Sequence, residues 1–204
     1  MAAYYASIDY NGSKAAANIG SGRGTFRSQR KHRRVSGSAT LYVRLINAWS
    51  MTMSFRITGL PSEPFANLFT LSDDELRARG AVRRIAEGNS PCRISLTDAR
   101  PGDELILVNY EHHPVDSPYR MRFAIYVRRG EEQFDAIDQI PEQLRTRTLA
   151  VRAFDANAMM VGWELVDGQQ VEPAIERLLA IPSAAYLHIH FAAPGCYAAR
   201  VERV

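Results

Sequence analysis

The stretch YLHIHFAAPGCYAARV, residues 186–201, packs two histidines, two tyrosines, a cysteine and an arginine into sixteen positions. Its first part alternates. Successive side chains of a β-strand point to opposite faces. Leu187, Ile189 and Phe191 therefore share one face, and Tyr186, His188 and His190 share the other, with like-facing Cβ atoms about 6–7 Å apart. The apolar face is expected to meet a core. The two imidazoles then lie on the opposite face, which is either an open solvated sheet surface or the wall of a cleft. Pro194 and Gly195 make a turn, and CYAARVERV is the last strand.

Working outward, strand patterns dominate. In TLAVRAF, Leu149, Val151 and Ala153 oppose Arg152. In RMRFAIYVR, Met121, Phe123, Ile125 and Val127 oppose Arg120, Arg122, Tyr126 and Arg128. CRISL puts Cys92, Ile94 and Leu96 on one side and Arg93 on the other. ELILVNYEH, SFRITGLP and MMVGWELVDG also read as strands. HHPVDSP reads as a loop, and EEQFDAIDQIPEQLRTR as weakly helical with a break at Pro141. SDDELRARG is a short helix, with Ser72 and Glu75 in capping-box spacing and Gly80 as its stop. VEPAIERLLA is a second, with Val171, Ala174, Ile175, Leu178 and Leu179 as its apolar stripe. PFANLFTL supplies a helical turn or two. About seven strands and two or three short helices, with no βαβ rhythm, predict an α+β fold with a mainly antiparallel sheet.

The chain has 204 residues, enough for one domain with a sizeable core. Its net charge of +3 is the sum of two unlike pieces. Residues 1–52 carry eight Lys and Arg against one acid, while residues 53–204 carry 17 arginines against 21 acids, a balance of −4. The first piece, rich in Gly, Ser and Ala, cannot bury enough apolar surface to fold and is expected to be disordered. Three readings of it stand open: a nucleic-acid arm around RSQRKHRR, an organellar transit peptide, or a segment outside the natural protein, with translation starting at Met51 or Met53. The abrupt start of a folded pattern at MSFRITGL favours the third. Residues 53–204 are expected to form a single α+β domain. No apolar run approaches the length of a membrane-spanning helix. The two cysteines form neither a disulfide framework nor a CxxC pair, so the expected location is the cytoplasm, with no membrane partner.

The chemistry concentrates in two histidine-bearing stretches. His188 and His190 are general acid–base candidates because imidazole titrates near neutrality. Glu111 and Cys196 join them as catalytic candidates, the cysteine because a thiol beside a base or a positive field is a nucleophile. Arg93 and Arg152 would hold an anion with their guanidinium forks. Asn109, His112 and Tyr119 complete the ligand-binding set. A His-x-His pair needs a further ligand to hold a metal, and none follows at a diagnostic spacing, so no metal is assigned. The cofactor is unknown. The blander alternatives are a small buried Cys196 and arginines that pair with acids on a solvated face. No P-loop, dinucleotide fingerprint, GxSxG or HExxH occurs. The balance of −4 and the absence of an aromatic ladder exclude nucleic acid as an expected partner of residues 53–204. Two functional readings remain: a small anionic-ligand-binding or enzymatic pocket lined by His and Arg on a sheet face, and a non-catalytic protein-interaction module that presents an Arg/Tyr-rich face. Whether the protein is an enzyme, and its oligomeric state, stay open.

From residue 53 to 204 the chain resembles a bacterial family known only as domain of unknown function number 1203. The resemblance rests on MSFRITGLPSEPFANLF, PCRISLTDARPGDELILVNYEHHPVDSPYR, IYVR, LAVRAFDANAMMV and YLHIHFAAPGCYAARV. The family carries no accepted activity, so the resemblance implies kinship without chemistry. A polar residue, often Asn, follows the His-x-His pair in the family. Here the position is Phe191, which implies an altered site if that polar group takes part.

Overall fold

Nine strands in two sheets and four short helices make up the described part of the chain. The computed structural model describes residues 53–204; the expectations for residues 1–52 lie outside the described residues. In order the elements are β1 (Phe55–Thr58), α1 (Glu63–Ala66), a 3-10 turn (Asn67–Thr70), α2 (Asp73–Ala78), β2 (Ala81–Ile85), β3 (Glu104–His113), β4 (Met121–Arg128), β5 (Asp135–Ile137), α3 (Glu142–Arg145), β6 (Thr148–Phe154), β7 (Met160–Asp167), α4 (Val171–Leu179), β8 (Tyr186–Phe191) and β9 (Tyr197–Arg203). A six-stranded sheet has the order β5-β1-β9-β8-β6-β7, and a three-stranded sheet the order β2-β3-β4. Every strand pair is antiparallel. The fold is α+β. Among the described residues no helix is long and apolar enough to cross a membrane.

The large sheet has one apolar face. Leu149, Val151 and Ala153 of β6, Leu187, Ile189 and Phe191 of β8 and Ala199 and Val201 of β9 meet Val171, Ile175, Leu178 and Leu179 of α4. These are the residues that strand and helix periodicity select, and the five-residue stripe of α4 is wholly buried. The small sheet buries Ile106, Val108, Ile125 and Val127 against Phe65, Leu68, Phe69 and Leu76 of the first helical segments, with Tyr197 of β9 joining them. α2 begins where the sequence says: Ser72 and Glu75 form the capping box, and Gly80 turns the chain at φ +66°.

Three local expectations need correction. CRISL is not a strand. Residues 91–97 form a tight turn with two isolated bridges, Pro91 to Asp98 and Cys92 to Tyr126 of β4. Leu96 sits there at φ +52° and 1% exposed, a left-handed conformation that a bulky residue holds only when packing over-determines it. EEQFDAIDQ contributes a short strand, β5, rather than helix. AVRRI, unassigned in the sequence, is β2, recruited as the partner of β3.

Candidate functional site

Two β-bulges assemble four of the chain's histidines. Between β3 and β4 the register slips: Tyr110 pairs with Phe123 but His113 with Met121. The extra residue on β3 breaks the alternation, so the consecutive side chains of His112 and His113 are both buried. Between β8 and β9 the same happens: Ile189 pairs with Ala199 but His190 with Tyr197. That slip turns Tyr197 onto the histidine side, away from Ala199 and Val201, its neighbours in a regular strand.

The result is a layer of rings between the two sheets. His188 lies 4.6 Å from His113 and 6.3 Å from both His112 and His190, centroid to centroid. His112 and His190 are 5.6 Å apart. Tyr197 stacks on His112 at 4.7 Å, and Phe154 packs on His113 and His188. His113 is fully partnered. Its Nδ1 faces the Tyr119 carbonyl at 2.9 Å and its Nε2 the Tyr186 hydroxyl at 2.7 Å. A carbonyl only accepts, so the Nδ1–H donates; burial favours the neutral ring, in which Nε2 accepts from the Tyr186 hydroxyl. His190 places Nδ1 3.3 Å from the Gly195 carbonyl, while its Nε2 has no hydrogen-bond partner in the protein. His112 has none at either nitrogen, although the Tyr110 carbonyl lies close enough to favour its charged form.

The alternation of β8 is therefore as the sequence reads, with His188 and His190 opposite Leu187 and Ile189. The face they occupy is neither solvated nor a cleft wall: His188 is 2% exposed and His190 fully buried. Burial first, and then the neighbouring His113, pushes the His112 imidazole down to about 4. Burial and the Arg152 guanidinium push His190 down to about 3. His188 is lowered by burial and by the surrounding rings. Titration near neutrality, the ground for naming His188 and His190 as acid–base candidates, is removed by desolvation. Among the described residues no group of three or more His, Cys, Asp or Glu side chains is placed to share a metal ion.

The other candidates separate. Glu111 takes a two-point grip from Arg120, at 2.6 and 3.0 Å, and bonds to no histidine. Asn109 is exposed, and its backbone N–H donates to Gly80. Tyr119 serves through its carbonyl, as the anchor of His113. Arg152 reaches the Met121 sulfur at 3.7 Å and makes no ion pair among the described residues. Of the arginines expected on an Arg/Tyr face, Arg120 pairs with Glu111 and Arg128 with Glu131 and Asp103.

Arg93 and Cys196 meet instead. The turn at residues 91–97 carries Arg93 inward, where it is 1% exposed. Its Nε–H donates to the Tyr197 carbonyl, one terminal nitrogen to the Pro91 carbonyl and the other to Cys196 Sγ at 3.0 Å. Its guanidinium lies 4.7 Å over the Phe191 ring. No carboxylate pairs with it among the described residues. Arg93, Cys196 and Phe191 line a cleft of about 500 Å³ that Arg147, Phe123 and Tyr126 help to enclose. Arg147 is already matched by Asp98 at 2.7 Å. A second cleft, about 580 Å³, is lined by Asp103, Glu104, Glu131, Arg128 and Arg129. Those charges are paired with one another, so it offers a ligand little unmatched charge. The histidines line neither cleft. Sequence reading missed Tyr197 and Arg147 as parts of this region, and raised Phe191 only as a departure from the family pattern. A bulge has no local signature that would have exposed Tyr197, and Arg147 and Phe191 reach the cleft only through packing.

Neither the curated proteins nor the solved structures contain a match to this chain. Residues 89–203 match one protein family, described as "Protein of unknown function (DUF1203)". The matched region runs through β3 to β9 and holds Arg93, Cys196 and all four clustered histidines. It covers more than half of the sequence, and the chain belongs to the DUF1203 family.

Proposed function

We propose that the protein binds a small anionic molecule with an apolar body in the Arg93–Cys196 cleft. One observation carries the reading: Arg93 is a buried cation that borders a cleft and has no carboxylate partner among the described residues. Carbonyl dipoles and the Phe191 ring stabilise the guanidinium only in part, and a buried charge without a counter-charge is costly. A carboxylate or phosphate in the cleft supplies that counter-charge through a charge-assisted hydrogen bond. The largely apolar lining, including Phe123, Tyr126 and Phe191, suits an aromatic or branched body. Cys196 Sγ flanks the anion position. Arg152 and the histidines have no ligand contact in this reading. Both cysteines are free, which agrees with a reducing cytoplasm as the working place. The balance of −4 over residues 53–204 agrees with a small ligand rather than nucleic acid.

A thermal-shift and calorimetric comparison of matched pairs tests this on the full chain, with benzoate against benzamide and phenylacetate against phenylacetamide. The anions are expected to raise Tm and the neutral amides to leave it unchanged. Ala124→Trp, at an exposed position lining the cleft, is expected to abolish the shift without lowering the Tm of the free protein. If acids and amides behave alike, or if A124W binds as well as the parent, the cleft is not the site.

A further inference from the structure

The Arg93–Cys196 cleft borders an open strand edge. β4 pairs with β3 on one side only. On its other side the turn at residues 91–97 meets it at one place, where the Arg93 N–H donates to the Tyr126 carbonyl at 3.0 Å. The Tyr126 backbone groups therefore face away from β3. Along such a strand the groups of every second residue face the same way, so those of Ala124 also face outward. β3 gives the same answer. Asn109, opposite Ala124, donates its N–H to the Gly80 carbonyl on the far side of β3. The Asn109–Ala124 pair is thus the kind that exchanges no hydrogen bonds. Among the described residues no backbone hydrogen bond reaches the Ala124 N–H or C=O from that outer side. Ala124 and Tyr126 line the cleft together with Arg93. The chain runs from Ala124 toward Tyr126, so of the two Ala124 groups the carbonyl lies nearer to the point where Arg93 is held.

We infer that the ligand of this cleft is an N-acyl amino acid with an aromatic or branched side chain. This rests on the anion-binding reading of the cleft and names the class of anion. The carboxylate meets Arg93, the amide N–H donates to the Ala124 carbonyl as an added strand would, and the side chain lies among Phe123, Tyr126 and Phe191. An α-amino acid carries its nitrogen and its carboxylate on one carbon, so one residue presents a donor beside a negative charge. Acylation of the nitrogen is required by charge. A free ammonium there would lie close to the Arg93 guanidinium, whereas an amide keeps the N–H and drops the charge. The cleft volume of about 500 Å³ suits a single acylated residue.

Titration calorimetry on the full chain tests the inference with N-acetyl-L-phenylalanine and four relatives. The ester isostere, O-acetyl-L-phenyllactate, replaces only the N–H by oxygen. It is expected to bind about tenfold more weakly, because the Ala124 carbonyl loses its donor. Free phenylalanine is expected to bind at least as weakly as the ester, and N-acetyl-L-phenylalaninamide, which lacks the negative charge, not to bind. Equal affinity for the amide-linked acid and the ester overturns the inference and leaves the anion reading intact. So does free phenylalanine binding as tightly as its N-acetyl form. Equal binding of N-acetyl-L-phenylalanine and its neutral amide overturns the anion reading itself. A tripeptide ending in phenylalanine that binds more tightly than the acetylated residue reassigns the cleft to a peptide C-terminus and overturns the inference. Absence of binding by N-acetyl-L-phenylalanine overturns it whatever benzoate does.

Discussion

At the scale of single residues, His112 is the unusual side chain. Both ring nitrogens are buried without a hydrogen-bond partner in the protein, yet the ring stacks on Tyr197 with an interplanar angle of 25°. A buried polar atom left unpaired costs about 1–3 kcal/mol, whereas an apolar group of the same shape costs nothing of the kind. His112→Phe keeps the stack and removes the two nitrogens. Urea unfolding at about pH 7.5 should show stability equal to the parent or higher by roughly 1 kcal/mol. A loss of more than that would mean that the nitrogens hold a partner. The sequence drew attention to the right residue types, since every histidine after residue 52 is in this layer. It misjudged their surroundings, because alternation says which way a ring points and nothing about what lies opposite. Arg93 shows the same limit from the other side: a guanidinium expected on a polar face is one of the most buried side chains.

At the scale of elements, periodicity was a sound guide wherever one face is apolar, as in β6, β8 and α4. It failed where the backbone leaves regular geometry. The turn at residues 91–97 mimics a strand because Cys92, Ile94 and Leu96 are all buried, but they are buried by a loop with a left-handed Leu96. Close backbone approach is equally invisible in a sequence. A Cβ at Gly168 would lie 2.0 Å from the Leu144 carbonyl oxygen and 2.6 Å from that of Arg145, both backbone atoms of α3. Gly168→Ala should therefore lower stability by about 2–3 kcal/mol in chemical denaturation, because the clash is with atoms that cannot swing aside. At Gly162 a Cβ would meet only the side-chain ends of Ile181, at 2.7 Å, and Leu178, at 3.2 Å. Gly162→Ala should cost less. Equal losses at the two positions would sink the distinction between backbone and side-chain crowding.

At the scale of the whole molecule, the histidine layer joins the two sheets and makes the fold acid-sensitive. The rings are neutral in the fold, with pKa values depressed by burial and, for His190, by Arg152; Arg200 adds to the lowering at His113 and His188. In the unfolded chain they titrate near about 6.5. The unfolded chain thus binds more protons below that pH, and the stability of the fold, full above it, falls as pH drops toward about 4, the folded value of His112. His112 alone accounts for roughly 3 kcal/mol over that window. The urea midpoint should fall between about pH 7.5 and about pH 4.5, and fall less in the His112→Phe variant. A midpoint flat across this range would show that the rings are charged or solvated in the fold. By itself the sequence determined the α+β class, the core stripe of α4, the capped start of α2 and the direction in which His188 and His190 point, because each depends on residues close together along the chain. Only the tertiary structure decided that β3 covers that face, that two bulges turn His112, His113 and Tyr197 into it, and that Arg93 rather than a histidine borders the open cleft. Those outcomes are contacts between segments some seventy to a hundred residues apart, whose burial is set by what packs against them and not by local pattern.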